Sequence, residues 1–431
     1  MPIPFSDPLV RFISAGWRLA FREPLPEGLR QHLGRMLSFG AAIAAARIIS
    51  AMAQILIGRI LGPTQYGKLT IVMLLAGYFS LPIIGGWGLA FTRVAATQME
   101  TEKRFQALKA LLLICLCFAV AVAFGLYLLR IPLGEWLNIQ RPLMNLTLVM
   151  SLLYAWWILA KQVAQAFQAW GSYIAADLGW ALLLLGLAAL LMALGQMTLT
   201  TACAAFWTAY FFSGLALAKW ARKVIGTGPA VAFARPILQH GGILLLNGII
   251  GTAAYSVDRL LLQRFLGPQE VGLYQAHLLA TFGLVSSLMN LILTYAFPLF
   301  CRDDHNAMHQ SLKRISWLQY PFTILLSAVV GMAGLYLYGY PVSPLLFICF
   351  CLFSGLQFHS QIKAWYISSK GAAATRRVLG SQLLFLGMVI VLLTGLTKHL
   401  GIQAGGVSLV ASSLISLLYL SRIEKGLPGN S

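Results

Sequence analysis

Long apolar stretches alternate with short polar segments along the whole chain. A helix that crosses a bilayer needs about twenty consecutive apolar residues, and each of these stretches is long enough. The apolar residues are contiguous, whereas a membrane β-barrel would alternate them with polar residues. The pattern predicts twelve spanning helices, at 37–57, 68–90, 107–129, 143–168, 172–194, 197–218, 241–263, 273–300, 315–338, 342–367, 378–397 and 401–421.

A nine-residue segment occurs twice, as RILGPTQYG at 59–67 and as RFLGPQEVG at 264–272. Each copy links the first and second helix of a set of six. Because six is an even number, both copies fall on the same side of the membrane, and the two sets are parallel repeats. The predicted fold class is an all-α polytopic membrane protein with two six-helix lobes.

The repeat and the polar segments together predict the organisation of the chain. We expect an N-terminal segment with an amphipathic helix at 1–36, an N-terminal lobe at 37–218, a linker at 219–240, a C-terminal lobe at 241–421 and a tail at 422–431.

Each copy of the repeat also predicts a turn. Gly62-Pro63 and Gly267-Pro268 are expected to break the helix and turn the chain back at the membrane surface. Arg59 and Arg264 would then anchor the turns at the lipid headgroups or pair across an outer gate. In the second helix, Pro82 and the glycines near it predict a bend.

The composition agrees with a membrane protein and orients it. Hydrophobic residues make up 59% of the chain and charged residues 10%, and the net charge is +19. Most lysines and arginines fall on one side if both termini lie in the cytoplasm, which fits the positive-inside rule. The basic residues are scattered over short loops, which favours contact with anionic lipids and not with nucleic acid.

Polar residues inside the spans are the candidate site residues, because a charge in the membrane interior is costly and usually functional. Arg47 lies near the middle of the first span, and Lys161, Lys363 and Asp258 lie nearer span ends, where they are also able to reach the headgroups. Asp177 can likewise cap or snorkel, and His359 also fits a core position. The substrate-binding candidates are Arg47, Gln54, Lys161, Gln165, His359 and Lys363, and the ion-coupling candidates are Asp258 and Asn247.

The balance of these charges favours an anionic solute, since three cations accompany one or two carboxylates. Other chemistry has little support in the sequence. Lys68 is followed by Leu69 where a phosphate-binding loop needs Ser or Thr. We expect no metal site, no cofactor and no enzymatic activity.

The two repeat segments in their context, GRILGPTQYGKLT and VDRLLLQRFLGPQEVGLY, resemble the polysaccharide-transport family. This family comprises the Wzx-type O-antigen and capsule-repeat flippases of the multidrug/oligosaccharidyl-lipid/polysaccharide exporter superfamily. The resemblance implies a MATE-like pair of lobes in a V shape. It also implies export of an undecaprenyl-pyrophosphate-linked oligosaccharide from the inner to the outer leaflet, with a polysaccharide polymerase and a chain-length regulator as further partners.

Two other functions stay open at this point. A cation-coupled drug exporter of the same superfamily would carry the opposite charge balance in its cavity. A membrane-embedded polysaccharide polymerase or ligase would need a large periplasmic loop, and the predicted loops are short. Alternating access driven by the membrane potential or by cation exchange is the expected mechanism.

Overall fold

The structure, a computed structural model, describes residues 27–97, 100–283, 285–287, 305–369 and 372–426. Ten helical segments of this part are long and apolar enough to cross a membrane. The first, Phe39–Ala95, contains the first two predicted spans, and the predicted eighth span extends outside the described residues. The amphipathic helix predicted within 1–36 begins outside them as well. The described part is an all-α membrane protein, as the hydropathy pattern predicts.

The N-terminal half contains α1 (Glu27–Ser80), a π-helical turn (Leu81–Gly85), α2 (Trp87–Thr97), α3 (Thr101–Leu137), α4 (Arg141–Ala166), α5 (Trp170–Ala193), α6 (Leu199–Gly214), a 3₁₀ turn (Leu215–Leu217) and α7 (Ala218–Val224). The C-terminal half contains α8 (Val231–Ala254), α9 (Val257–Leu266), α10 (Pro268–Leu278), a second π-helical turn (Leu279–Gly283), α11 (His305–Tyr338), α12 (Pro344–Ser369), α13 (Ala372–Leu400) and α14 (Gln403–Lys425).

The two halves place the same backbone conformation at the first glycine of each repeat. Gly62 has φ 70° and ψ 167° and kinks α1, and Gly267 has φ 90° and ψ −179° between α9 and α10. This region of φ and ψ is open to glycine and strained for other residues. The next residue is Pro63 or Pro268, and Pro268 begins α10, where its missing N–H costs no hydrogen bond.

The two copies of the repeat pack directly on each other. A Cβ atom on Gly67 would overlap the carbonyl oxygen of Pro268, and one on Gly272 would overlap the carbonyl oxygen of Pro63. The same hypothetical atoms would lie 2.9 Å from the backbone nitrogen of Gly272 and 3.0 Å from that of Gly67. The second glycine of each copy therefore packs against the proline of the other copy. The sequence repeat marks a close, symmetric crossing of α1 with α10.

The second predicted helix bends and touches the C-terminal half again at its other end. The π-helical turn begins at Leu81, and the Trp87 indole donates a hydrogen bond of 2.7 Å to the Pro82 carbonyl oxygen. A Cβ atom on Gly86 would overlap the carbonyl oxygen of Gly241 in α8. The second predicted helix therefore contacts the C-terminal half both before and after its bend.

The seventh predicted span is broken where a continuous helix over 241–263 was expected. The Ser256 hydroxyl bonds to the Thr252 carbonyl oxygen and competes with the backbone ladder. The Arg259 guanidinium donates to the Tyr255 carbonyl oxygen, which the break leaves without a helical partner. A spanning helix with such a break usually lies at a ligand site, because only protein or water satisfies the freed backbone.

Two predicted boundaries differ from the helix ends. The predicted linker at 219–240 contains α7 and the start of α8, and α14 continues past residue 421 to Lys425. Hydropathy marks where the apolar stretch begins, whereas a helix continues into polar residues for as long as its backbone bonds do.

Candidate functional site

Three charged side chains meet inside the N-terminal half and form what we call the N-terminal charge cluster: Arg47 of α1, Lys161 of α4 and Asp177 of α5. The Lys161 ammonium lies 2.6 Å from Asp177 Oδ1, and Arg47 Nη2 lies 3.6 Å from Asp177 Oδ2. One carboxylate faces two cations, so the cluster carries a net positive charge.

Exposure separates the two cations of this cluster. The Lys161 side chain is 8% exposed and Asp177 is 1% exposed, whereas Arg47 is 35% exposed. Lys161 and Asp177 form a buried pair with a short hydrogen bond to Oδ1, whereas Oδ2 has no hydrogen-bond partner among the described residues and faces Arg47. The excess positive charge is therefore on Arg47, the more exposed of the two cations.

Aromatic rings hold the cluster in place. The Lys161 ammonium lies 4.1 Å from the centroid of the Trp157 ring and 5.2 Å from that of Tyr173. The Trp157 indole donates to the Ala176 carbonyl oxygen at 3.0 Å, next to Asp177. Ring quadrupoles add to the attraction on the cation. The neighbours of Lys161 are thus fixed by packing, while Arg47 keeps an open side.

The glutamines of the predicted site lie apart from this cluster. Gln54 is partly buried further along α1, and Gln165 is exposed near the end of α4. Arg59 and Arg264 flank the two glycine turns and are exposed, and neither forms an ion pair with a described carboxylate.

The C-terminal half contains a second group, which we call the C-terminal charge cluster: Asp258, Arg259 and Tyr274. The Tyr274 hydroxyl donates to Asp258 Oδ2 at 2.5 Å, and the Arg259 backbone N–H donates to Oδ1 at 2.8 Å. Arg259 Nε lies 3.5 Å from the same carboxylate, and its Nη1 donates to Gln275 at 3.1 Å. One cation balances one carboxylate here. Asn247 is exposed on α8 and is not among these contacts.

Lys363 and His359 lie on α12, and Lys363 is paired. Its ammonium lies 2.6 Å from Glu424 Oε2 and donates to the Ser421 hydroxyl at 3.1 Å. The His359 ring lies 5.0 Å from that of Tyr320, and its Nδ1 is buried without a hydrogen-bond partner in the described part. Of the three cations predicted to form the site, Arg47 is the one without a carboxylate of its own.

Three residues that decide these charges were not among the predicted site residues. Arg259 precedes the second copy of the repeat, and Asp177 had been read as a cap or a snorkelling group. Glu424 lies in the segment predicted to be a tail. Asp258 and Arg259 are neighbours in the sequence, whereas Asp177 is sixteen positions from Lys161 and Glu424 is sixty-one from Lys363, so the last two pairings depend on the fold.

No group of three His, Cys, Asp or Glu side chains within 27–97, 100–283, 285–287, 305–369 and 372–426 is arranged to hold a metal ion.

Comparison with known families agrees with this architecture. A family model described as "Polysaccharide biosynthesis protein" matches residues 36–302, which is more than half of the chain. The chain belongs to this family. No match was found among curated proteins.

Solved structures show the same fold at low sequence identity. An inward-facing multidrug resistance MATE family transporter of the MOP superfamily aligns with a TM-score of 0.64 and 11% identity, over 88% of this chain and 96% of that one. The lipid II flippase MurJ, in an inward closed conformation, aligns at 0.62 and 11%, over 91% and 88%. An outward-facing MATE transporter aligns at 0.57 and 12%, over 90% and 96%. The chain is a multi-pass membrane protein with the MOP-superfamily transporter fold.

Proposed function

We propose that this protein is a flippase for an undecaprenyl-pyrophosphate-linked oligosaccharide, such as an O-antigen or capsular repeat unit. It moves this lipid from the inner to the outer leaflet of the bacterial cytoplasmic membrane by alternating access and makes or breaks no covalent bond. The distribution of lysine and arginine supports a topology with both termini in the cytoplasm. Polysaccharide polymerase and chain-length regulator would act on the product.

The accessible charge of Arg47 is the observation that carries the proposal. A cation in the membrane interior is costly unless an anion joins it, and Arg47 shares the single carboxylate of Asp177 with the closer Lys161. The guanidinium has a planar fork of donors that fits two phosphate oxygens at once. A pyrophosphate headgroup is an anion and also presents paired phosphate oxygens to the guanidinium. A cationic drug would be repelled by the same residue.

The contact between the two repeats suggests where alternation occurs. Gly67 and Gly272 hold α1 and α10 together at the end that the basic residues assign to the outside. For the substrate to leave, this crossing has to separate while the bend at Leu81–Gly85 lets the inner end close. Gly62 and Gly267 supply the turns beside the crossing.

Arg47 variants test the proposal in reconstituted vesicles that contain undecaprenyl pyrophosphate linked to an oligosaccharide. We expect the wild-type protein to move this lipid between leaflets and Arg47→Ala to lose at least tenfold in rate, because the anion loses its partner. Arg47→Lys should recover part of the rate, since it restores charge without the fork. Equal rates for wild type and Arg47→Ala, or transport of cationic dyes and not of the lipid, would overturn the proposal.

A potential imposed on the same vesicles tests the driving force. Two negative charges moving outward from a negative interior gain about 4 to 5 kcal/mol per 100 mV, at about 2.3 kcal/mol for each charge. The rate should rise when a potassium diffusion potential makes the inside negative and fall when its sign is reversed. A rate independent of the sign would leave cation exchange as the driving force.

A further inference from the structure

A cavity of about 220 Å³ lies inside the C-terminal half, at the break between α8 and α9. Helices α12, α13 and α14 form its other walls. None of the described residues that line it is charged. Its polar lining consists of amides and hydroxyls, with Tyr255, Gln357, Ser360, Gln361, Ser381 and Gln382 among them. We call this cavity the amide pocket.

Several polar groups of the amide pocket have bonding capacity left over. Ser360 Oγ and Gln382 Oε1 are buried and have no hydrogen-bond partner among the described residues. Ser360 is 7% exposed, so bulk water does not satisfy it. In a membrane protein such groups are costly to leave alone, and both belong to residues that line the same cavity, where a polar ligand would supply the missing partner.

Other side chains hold this lining in a fixed arrangement. The Tyr255 hydroxyl donates to Gln357 Oε1 at 3.1 Å, and Gln357 Nε2 donates to the Ser413 hydroxyl at 3.1 Å. Ser381 donates to the Val378 carbonyl oxygen at 2.7 Å, which leaves its own oxygen free to accept. The pocket therefore presents both donors and acceptors at set positions.

Aromatic surface completes the pocket. The rings of Tyr255 and Phe385 lie 5.8 Å apart, and Trp365 also lines the cavity. A sugar ring has one face of C–H groups and a rim of hydroxyls, so it needs apolar surface and neutral hydrogen-bonding groups together. A phosphate would require a cation, and the nearby Lys363 is bonded to Glu424.

We propose that the amide pocket binds a neutral sugar residue of the lipid-linked oligosaccharide. The inference rests on the proposed flippase function and adds a division of labour to it. Arg47 takes the pyrophosphate in the N-terminal half, and the amide pocket reads uncharged sugar hydroxyls in the C-terminal half. The lipid is thus recognised at two points, one cationic and one neutral.

Binding of two lipids to the full chain in nanodiscs tests this inference. One probe is undecaprenyl pyrophosphate, and the other is undecaprenyl pyrophosphate linked to a single N-acetylhexosamine. We expect the wild-type protein to bind the sugar-bearing lipid at least tenfold more tightly. The Ser360→Ala/Gln382→Leu double variant should bring the ratio of the two dissociation constants to within twofold of one and leave the bare lipid unaffected.

Ser408→Ala is the matched control, because Ser408 Oγ is also buried without a described partner but does not line the pocket. It should keep the wild-type ratio. If the double variant does not fold, Ser360→Ala alone removes a single oxygen and should lower the ratio at least threefold.

The outcomes separate this inference from the proposed function. A double variant that keeps the wild-type ratio overturns the sugar site, and so does a wild-type ratio near one. A variant that keeps the ratio but loses sodium dependence of transport would assign the pocket to a cation instead. A wild-type protein that binds neither lipid, or an Arg47→Ala variant that binds each lipid as tightly as the wild type does, would overturn the flippase function itself.

Discussion

The two halves of the molecule balance their buried charges in different ways. In the N-terminal half, Asp177 faces both Lys161 and Arg47, and one positive charge stays accessible. In the described part of the C-terminal half, each of the two buried carboxylates has one cation. The pairs are Asp258 with Arg259 and Glu424 with Lys363.

This difference arises although the halves repeat one fold. In the register of the repeated segment, Arg259 matches Gln54 and Asp258 matches Ala53, so the C-terminal charge cluster has no counterpart in the N-terminal half. The repeat conserves the turns and the crossing, whereas the interior of each half has its own chemistry. A duplicated scaffold therefore allows one half to handle an anion and the other to handle neutral groups.

Removing the shared carboxylate of Asp177 should cause the largest loss of stability among the variants that compare the two halves. Asp177→Ala leaves Lys161 buried and unpaired next to Arg47, and breaking a buried pair in this way costs about 3–5 kcal/mol of unfolding free energy. The Lys161→Met/Asp177→Asn variant should recover most of this loss. Chemical unfolding in detergent measures both.

Glu424→Ala is the counterpart in the C-terminal half. Its partner Lys363 is 15% exposed, which gives the orphaned ammonium more access to water than Lys161 has. We expect a smaller loss than for Asp177→Ala. Equal losses in the two halves would show that the shared carboxylate has no special role.

The glycine crossing offers an intermediate effect. Gly67→Ala and Gly272→Ala each place a methyl group into a backbone carbonyl, and overpacking of this kind costs about 1–3 kcal/mol. Because the two glycines are in contact, the double variant should lose less than the sum of the single losses. Transport should fall at least fivefold in each single variant.

Gly77→Ala in α1 and Gly251→Ala in α8 are the controls for the crossing. A Cβ atom at either position has open space around it, and alanine is the better helix former by up to about 1 kcal/mol. Both variants should fold and transport as well as the wild type. A similar defect in the controls would mean that the helices respond to alanine generally and that the crossing is unimportant.

The smallest effect is expected at Asp258, which we propose couples transport to a proton or sodium ion. Asp258→Asn keeps an acceptor for the Tyr274 hydroxyl and removes the charge that faces Arg259. Transport should lose its dependence on pH or sodium, with a smaller change in maximal rate than either Gly67→Ala or Gly272→Ala causes. If the variant keeps the wild-type dependence, the carboxylate is a structural partner of Arg259 and the coupling lies elsewhere.

The sequence was sufficient for features that depend on neighbouring residues. Contiguous apolar stretches predicted the spanning helices, and the Gly-Pro pairs coincide with the kink at Gly62 and the helix boundary at Gly267. The break at Tyr255–Ser256 was missed, because it depends on the Ser256 hydroxyl and on the Arg259 side chain reaching the freed carbonyl. An apolar run contains no such information.

Pairing across the bundle was beyond the sequence for the same reason. Lys363 was predicted to bind substrate or to reach the headgroups, and its partner Glu424 is sixty-one positions away. The second glycine of each repeat, Gly67 or Gly272, was visible as a repeated letter, but its contact with the other copy requires the fold. A segment of sequence is enough to predict a turn or a spanning helix, whereas the partner of a buried charge depends on how the helices pack.

The exchanged contact at the crossing has a consequence for the ancestry of the chain. Gly67 meets Pro268 and Gly272 meets Pro63, so the two surfaces are related as the identical faces of a two-fold homodimer are. A single six-helix subunit with one copy of the segment would be able to make this contact with a second copy of itself. Duplication and fusion of its gene would keep the crossing of α1 with α10 and would allow the interior of each half to acquire different residues.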